Sequence, residues 1–189
     1  MVSESPKIAI VIPTYSIRPA LLAMEIDNAR VWKTLCENLI ICEDGGEYSQ
    51  ELEEIAAEYL YHPNIGVCHN MNLGWALALQ NGAEYVIIMD SDVSYVEGDL
   101  RSLCVPEAVT VPQVIEYPNT DFIAPMLCVP KEVTNRVGLY DCRNRRNEGF
   151  DAELDNIVRP IVHKVESVKV SHRGPLGVVG GATRFNHVF

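Results

Sequence analysis

Asp90 and Asp92 stand one residue apart in "YVIIMDSDVSYV" (85–96), directly after an apolar run. Two carboxylates placed that closely at the end of a buried segment repel each other and resist leaving water. A divalent cation removes that repulsion. Hard carboxylate oxygens suit Mg2+ or Mn2+, with water and phosphate completing the shell. On an extended segment Asp90 and Asp92 point to one side and Ser91 to the other. Two other apolar runs also end in polar groups, "KIAIVIP" (7–13) in "PTYS" and "NLIICEDGG" (38–46) in "EDGG". A solvated turn at a strand end is the plainer reading of each.

The elements that must position these groups alternate. Apolar runs at 7–13, 38–46, 64–70 and 85–89 read as strands. Between them, Pro19 opens a helix that continues over 20–32. Ser49 is a candidate N-cap for a helix carrying Leu52, Ile55, Ala56, Tyr59 and Leu60 on one face. "NLGWALALQNG" (72–82) reads as an apolar helix with Asn72 as a candidate cap and Gly82 past its end. Such alternation predicts an α/β domain, its mostly parallel sheet flanked by helices, with ligands at the carboxyl ends of the strands. Beyond residue 100 the pattern loosens. "VPEAVTVPQVIEYP" (105–118) carries three prolines and fits no element. A strand is expected within 121–130, a short helix over 131–138 and a half-exposed strand over 165–170. "DCRNRRNEG" (141–149) is expected to be an exposed loop.

Composition narrows the function classes. The chain has 189 residues, enough for one well-cored domain and short for two. Its net charge is −11, and residues 1–100 hold 4 Lys/Arg against 16 Asp/Glu. Without a basic stripe, nucleic-acid binding is not expected. No apolar run approaches the ~20 residues of a membrane helix. The N-terminus carries no signal-peptide pattern, so a cytoplasmic location is expected. Six cysteines show no zinc-ligand spacing, and Cys42, Cys68 and Cys128 read as small core residues.

Taken in order, "IPTYS" (12–16), "CEDGG" (42–46), "NLGWALALQNG" (72–82) and "IIMDSDV" (87–93) resemble the successive motifs of nucleotide-sugar glycosyltransferases of the GT-A fold, most of all family 2. Those motifs are P-T-Y-N, D-D-G-S, N-x-G-x-A-x-A-x-N-x-G and D-x-D. The chain departs from them at Ser16, Glu43, Gly46 and Gln80. The resemblance implies a single Rossmann-like GT-A domain over 1–189, with a nucleotide-sugar-binding half (about 1–100) and an acceptor and catalytic-base half (about 101–189). It implies that Pro13, Thr14 and Tyr15 line a nucleoside pocket and that Asp44 reads the base. A carboxylate there can accept the N3–H of uracil or thymine with charge assistance, although Asp44-Gly45-Gly46 is equally the sequence of a turn. Asn72 and Gly74 would flank the phosphates. Asp90 and Ser91 would face the donor, and Asp90 and Asp92 would hold Mn2+ or Mg2+, Asp92 the more directly. His172 resembles a histidine that some members use near the metal.

The same resemblance implies an inverting hexosyl transfer from a nucleotide-diphosphate sugar to a glycan, lipid or protein hydroxyl. A UDP-sugar is favoured, and GDP- or dTDP-sugars are possible donors. Inversion needs an acid to take the acceptor proton. Asp151, Glu153 and Asp155 in "EGFDAELDNIVRP" (148–160) loosely match the family's acidic segment, Asp151 first among them. Arg143, Arg145 and Arg146 could grip diphosphate or an anionic acceptor. Two alternatives remain at this level. One is a haloacid-dehalogenase-like phosphatase, with Asp90 as nucleophile and Asp92 as acid/base. The other is a degenerate nucleotide-sugar binding module.

Overall fold

The first apolar run forms β1 (Ile8–Thr14), buried from Ala9 onward. Such a strand needs cover on both faces, which a helix-flanked sheet provides. The structure, a computed structural model, describes residues 5–16, 18–118, 125–142 and 158–172. After β1 come α1 (Pro19–Leu35), β2 (Leu39–Asp44), α2 (Gln50–Ile55), β3 (Glu58–His62), α3 (Val67–Gln80) and β4 (Tyr85–Met89). The second half adds β5 (Val93–Glu97), β6 (Val109–Val114), β7 (Met126–Pro130), α4 (Lys131–Val137) and β8 (Val162–His172).

The eight strands form one sheet in the order β3-β2-β1-β4-β7-β6-β8-β5. β3, β2, β1 and β4 are parallel neighbours. β7 runs antiparallel to β4 and β6, β8 parallel to β6, and β5 antiparallel to β8. The sheet is therefore mixed beyond β4. Right-handed crossovers leaving β1 one way and returning to β4 the other put α1 and α3 on opposite faces. α3 packs on β1, β2 and β4. Its closest approach is at Gly74, where a Cβ would stand 2.5 Å from Val11 Cγ1 and 2.6 Å from Cys42 Sγ.

Two expected elements are corrected. The helix expected to reach Leu60 stops at Ile55, and Tyr59 and Leu60 lie in β3 opposite Ile41 and Cys42. The strand expected over 64–70 is a loop followed by the first turn of α3. The helical period already runs through Cys68, Met71, Trp75 and Ala78, all buried. Gly66, at φ +92, makes the sharp entry into that helix. Asn72 is accordingly an interior helical residue, not the cap.

The three-proline segment does contain a strand, β6. Pro112 lies at the irregularity in its pairing with β8, consistent with the ladder hydrogen bond that proline cannot donate. Cys42 and Cys128 are buried free thiols, as expected, but Cys68 is not a free core cysteine. It is disulfide-bonded to Cys142, 74 residues away. Among the described residues no helix is long and apolar enough to cross a membrane.

Candidate metal and donor site

Asp90, Ser91 and Asp92 form a turn, not the extended segment expected. Val93 N donates to Asp90 O (3.2 Å), and the chain reverses into β5. Asp90 N is held by Pro125 O at 2.8 Å. The antiparallel register of β5 and β8 sets Val93 opposite His172. The last residue of β8 thereby arrives beside the turn. His172 Nε2 lies 3.1 Å from Asp92 Oδ1 and 3.7 Å from Asp90 Oδ2. One ligand atom from each of Asp90, Asp92 and His172 lies within 4.8 Å of the others. Two carboxylates and an imidazole so gathered fit a divalent cation such as Mn2+.

Further contacts fix the histidine. Its Nδ1 lies 2.7 Å from Tyr117 Oη, and its backbone N–H donates to Glu116 Oε2 at 3.0 Å. The Ser171 hydroxyl also donates to Glu116. Tyr117 and Glu116 thus orient the ring and its strand end, as partners beyond a metal's ligands commonly do. Burial disfavours charge on His172, but the adjacent Asp92, Asp90 and Glu116 outweigh it and raise its pKa.

The carboxyl ends of β1 and β2 are joined by Glu43, which is fully buried. Its carboxylate accepts from Thr14 Oγ1 (2.8 Å), Ser16 N (3.1 Å), Ser16 Oγ (2.7 Å) and Gly46 N (2.8 Å). Glu43 thereby ties the "PTYS" loop to the "EDGG" turn. Asp44 accepts from Ile65 N (2.7 Å) and Gly66 N (3.1 Å) and lies 3.8 Å from His62 Nδ1. These contacts hold Asp44 to the segment that leads into α3. Pro13 and Thr14 are buried at the same sheet edge, and Tyr15 is half-buried.

α1 grips the acidic turn from beneath. Asn28 Nδ2 donates to Ser91 O (3.1 Å), Ser94 Oγ donates to Asn28 Oδ1 (2.8 Å), and Trp32 Nε1 donates to Val93 O (3.1 Å). Ser16 Oγ lies 2.7 Å from Glu25 Oε2. Burial pushes the Glu25 carboxyl up from 4.5 to about 7; the Ser16 hydroxyl opposes this and Glu43 adds to it. A carboxyl with a raised folded value contributes stability that is complete below pH 4.5 and lost as pH rises through about 7. Relative to Glu25→Gln, the wild-type unfolding free energy should fall by about 3 kcal/mol across that window. Urea titrations at stepped pH measure this, and parallel profiles for the two proteins would contradict it.

Asn72 and Gly74 both make packing contacts on α3. Asn72 Nδ2 donates to Tyr140 O (2.8 Å), and Tyr140 N donates to Asn72 Oδ1 (3.0 Å). With the Cys68–Cys142 disulfide, this pins residues 140–142 to α3. Asp151, Glu153, Asp155, Arg143, Arg145 and Arg146 lie outside the described residues.

Four contributors escaped the sequence reading: Glu25, Asn28, Glu116 and Tyr117. For the first two a signal was present. Leu21, Glu25, Asn28, Ala29 and Trp32 make the inward stripe of α1, and a Glu and an Asn inside such a stripe need partners. Glu116 and Tyr117 gave none, because only strand pairing brings them to His172.

No protein-family model matches the sequence, and no curated protein does. Solved structures do match in fold. A mannosyltransferase, PcManGT from Pyrobaculum calidifontis in complex with GDP-Man and Mn2+, superposes with a TM-score of 0.59 at 15% identity, covering 89% of this chain and 57% of that one. GalNAc-T7 with UDP, GalNAc and Mn2+ gives 0.61 at 11% identity, covering 90% and 44%. S. aureus TarS gives 0.62 at 11% identity, covering 87% and 36%. The chain thus spans between about a third and three-fifths of the structures it matches. What it shares with them is the fold: a single α/β domain of GT-A architecture.

Proposed function

We propose that the chain is a metal-dependent, inverting glycosyltransferase that moves a sugar from a nucleotide-diphosphate donor, a UDP-sugar first, to a hydroxyl acceptor. The observation that carries this reading is the convergence of Asp90, Asp92 and His172 beside the carboxyl ends of β1, β2 and β4. The proteins of like fold that were solved with GDP-Man or UDP and with Mn2+ support it. The phosphatase alternative has no comparable support, since its D-x-D belongs on an early strand and here it follows the fourth.

Asp92 and Asp90, with His172, would hold Mn2+ or Mg2+. A divalent cation there supplies charge to stabilise the departing diphosphate. Tyr117 fixes the imidazole by its contact with Nδ1. Pro13, Thr14, Tyr15 and Asp44 line the nucleoside side, Glu43 holding the loop that presents the first three. Asn72 and Gly74 flank the donor phosphates, while Asn72 also docks residues 140–142 and Gly74 seats α3 on the sheet. An acid from Asp151, Glu153 and Asp155, Asp151 first, takes the proton of the acceptor hydroxyl as it attacks opposite the leaving group. Arg143, Arg145 and Arg146 add positive charge near an anionic donor or acceptor.

Inversion is tested on the product. NMR of the newly formed linkage should show the anomeric configuration opposite to that of the donor. Retained configuration would overturn the inverting assignment.

A further inference from the structure

The contacts around His172 fix more than the direction of its ring. β6 ends at Val114, and Ile115 N continues the pairing by donating to Val170 O at 3.0 Å. Tyr117 N turns back onto Val114 O at 3.3 Å. This short turn puts Glu116 beside the end of β8, where Oε2 accepts from His172 N at 3.0 Å and the Ser171 hydroxyl donates to the same carboxylate. It also puts the Tyr117 ring edge-to-face with the imidazole, centroids 6.3 Å apart, and Tyr117 Oη 2.7 Å from Nδ1. The backbone of His172 is thus held by Glu116, and one ring nitrogen by the phenol.

The two ring nitrogens have opposite surroundings. Nε2 faces carboxylate oxygens, Asp92 Oδ1 at 3.1 Å and Asp90 Oδ2 at 3.7 Å. Nδ1 faces a hydroxyl. Neutral imidazole has one N–H and one lone pair, on different nitrogens. Beside carboxylate oxygens alone, Nε2 is best served by carrying the N–H. A cation shared by the three side chains requires the reverse: Nε2 must present its lone pair, and the proton then sits on Nδ1. A phenol suits both arrangements, because it can donate to a bare Nδ1 or accept from Nδ1–H. A phenyl ring can do neither. The His172 side chain is only 13% exposed, so an Nδ1–H without the phenol would be poorly hydrated.

We propose that Tyr117 is a positioning residue that frees His172 Nε2 for the cation by accepting a hydrogen bond from Nδ1–H, and that it thereby makes the site prefer Mn2+ to Mg2+. This rests on the metal site of the function proposed above. The first-row series that begins with Mn2+ takes imidazole nitrogen, whereas Mg2+ is served by carboxylate and water. Asp90 and Asp92 can therefore hold Mg2+ whatever the state of His172, and Mn2+ gains from the third ligand.

Tyr117→Phe keeps the ring contact and removes only the hydroxyl. Mn2+ and Mg2+ are titrated separately into the wild-type and variant proteins without nucleotide, over the micromolar to millimolar range. The EPR signal of the free ion reads Mn2+ binding, and competition with it reads Mg2+. Mn2+ affinity should fall about tenfold or more in Tyr117→Phe, and Mg2+ affinity by less than about threefold. His172→Ala should lose the same selectivity, and adding Tyr117→Phe to it should change neither affinity further. Thermal melts confirm folding; should His172→Ala not fold, the two affinities of Tyr117→Phe alone decide. Unchanged Mn2+ affinity in Tyr117→Phe, an equal loss for both metals, or additive losses in the double variant would overturn the positioning role. A wild-type protein that binds neither metal would count against the metal-dependent reading itself, and the role of Tyr117 would fall with it.

Discussion

Asp92→Asn lowers the rate of sugar transfer by about a thousandfold or more and removes the metal dependence of nucleotide binding, while the protein stays folded. A metal that neutralises a leaving diphosphate supplies several kcal/mol in the transition state, which is the origin of that factor. The substitution keeps the shape of the side chain, and an amide oxygen can still accept from His172 Nε2, so the local contact survives while the ligand charge is lost. Asp90 should be the less sensitive position. Its side chain is 47% exposed against 10% for Asp92, and it lies farther from His172. Transfer assays over a Mn2+ series, with thermal melts to confirm folding, compare the two. Near wild-type transfer by Asp92→Asn would remove the metal site from the mechanism.

Asp151→Asn leaves nucleotide and metal binding intact and lowers transfer by about 10²- to 10⁴-fold, the usual contribution of a positioned base. The selectivity of the loss matters as much as its size. An acid that only holds the structure changes binding and stability together, whereas a base changes the transfer rate alone. Isothermal titration with UDP and Mn2+ measures the first quantity and initial rates the second. If transfer survives in Asp151→Asn, the role passes to Glu153 or Asp155, each tested in the same way.

The elements of the first half were legible because each is a contiguous apolar run stopped by polar residues. β1, β2, β4 and the start of α1 at Pro19 follow from that pattern, and with them the placing of "PTYS", "EDGG" and "DSD" at one sheet edge. The region 49–70 was misread because its inward residues satisfy two periods. Tyr59 and Leu60 continue the helical spacing of Leu52 and Ile55, yet in β3 they pack equally well beside Ile41 and Cys42.

The cluster of Asp90, Asp92 and His172 was only half visible. Asp90 and Asp92 are neighbours in the chain, but His172 reaches them through a register between two strands, one of which, β5, carries no strong strand signal. Tyr117 and Glu116 follow the prolines that hid β6. The pairing of Cys68 with Cys142 depends on where α3 and the segment after α4 meet, which no spacing rule supplies. Glu25 and Asn28 are a different case. They stood at helical spacing with Leu21 and Trp32, and a polar pair in a buried stripe was the clue that α1 holds more than the core.

The most direct measurement is a thermal-shift titration of the wild-type protein with UDP, GDP and dTDP, each with and without Mn2+. A ligand that binds only the folded state raises the melting temperature in proportion to its occupancy. Stabilisation by UDP, appearing only when Mn2+ is present and absent in Asp92→Asn, is the predicted result. No shift with any of the three nucleotides, with or without metal, would contradict it.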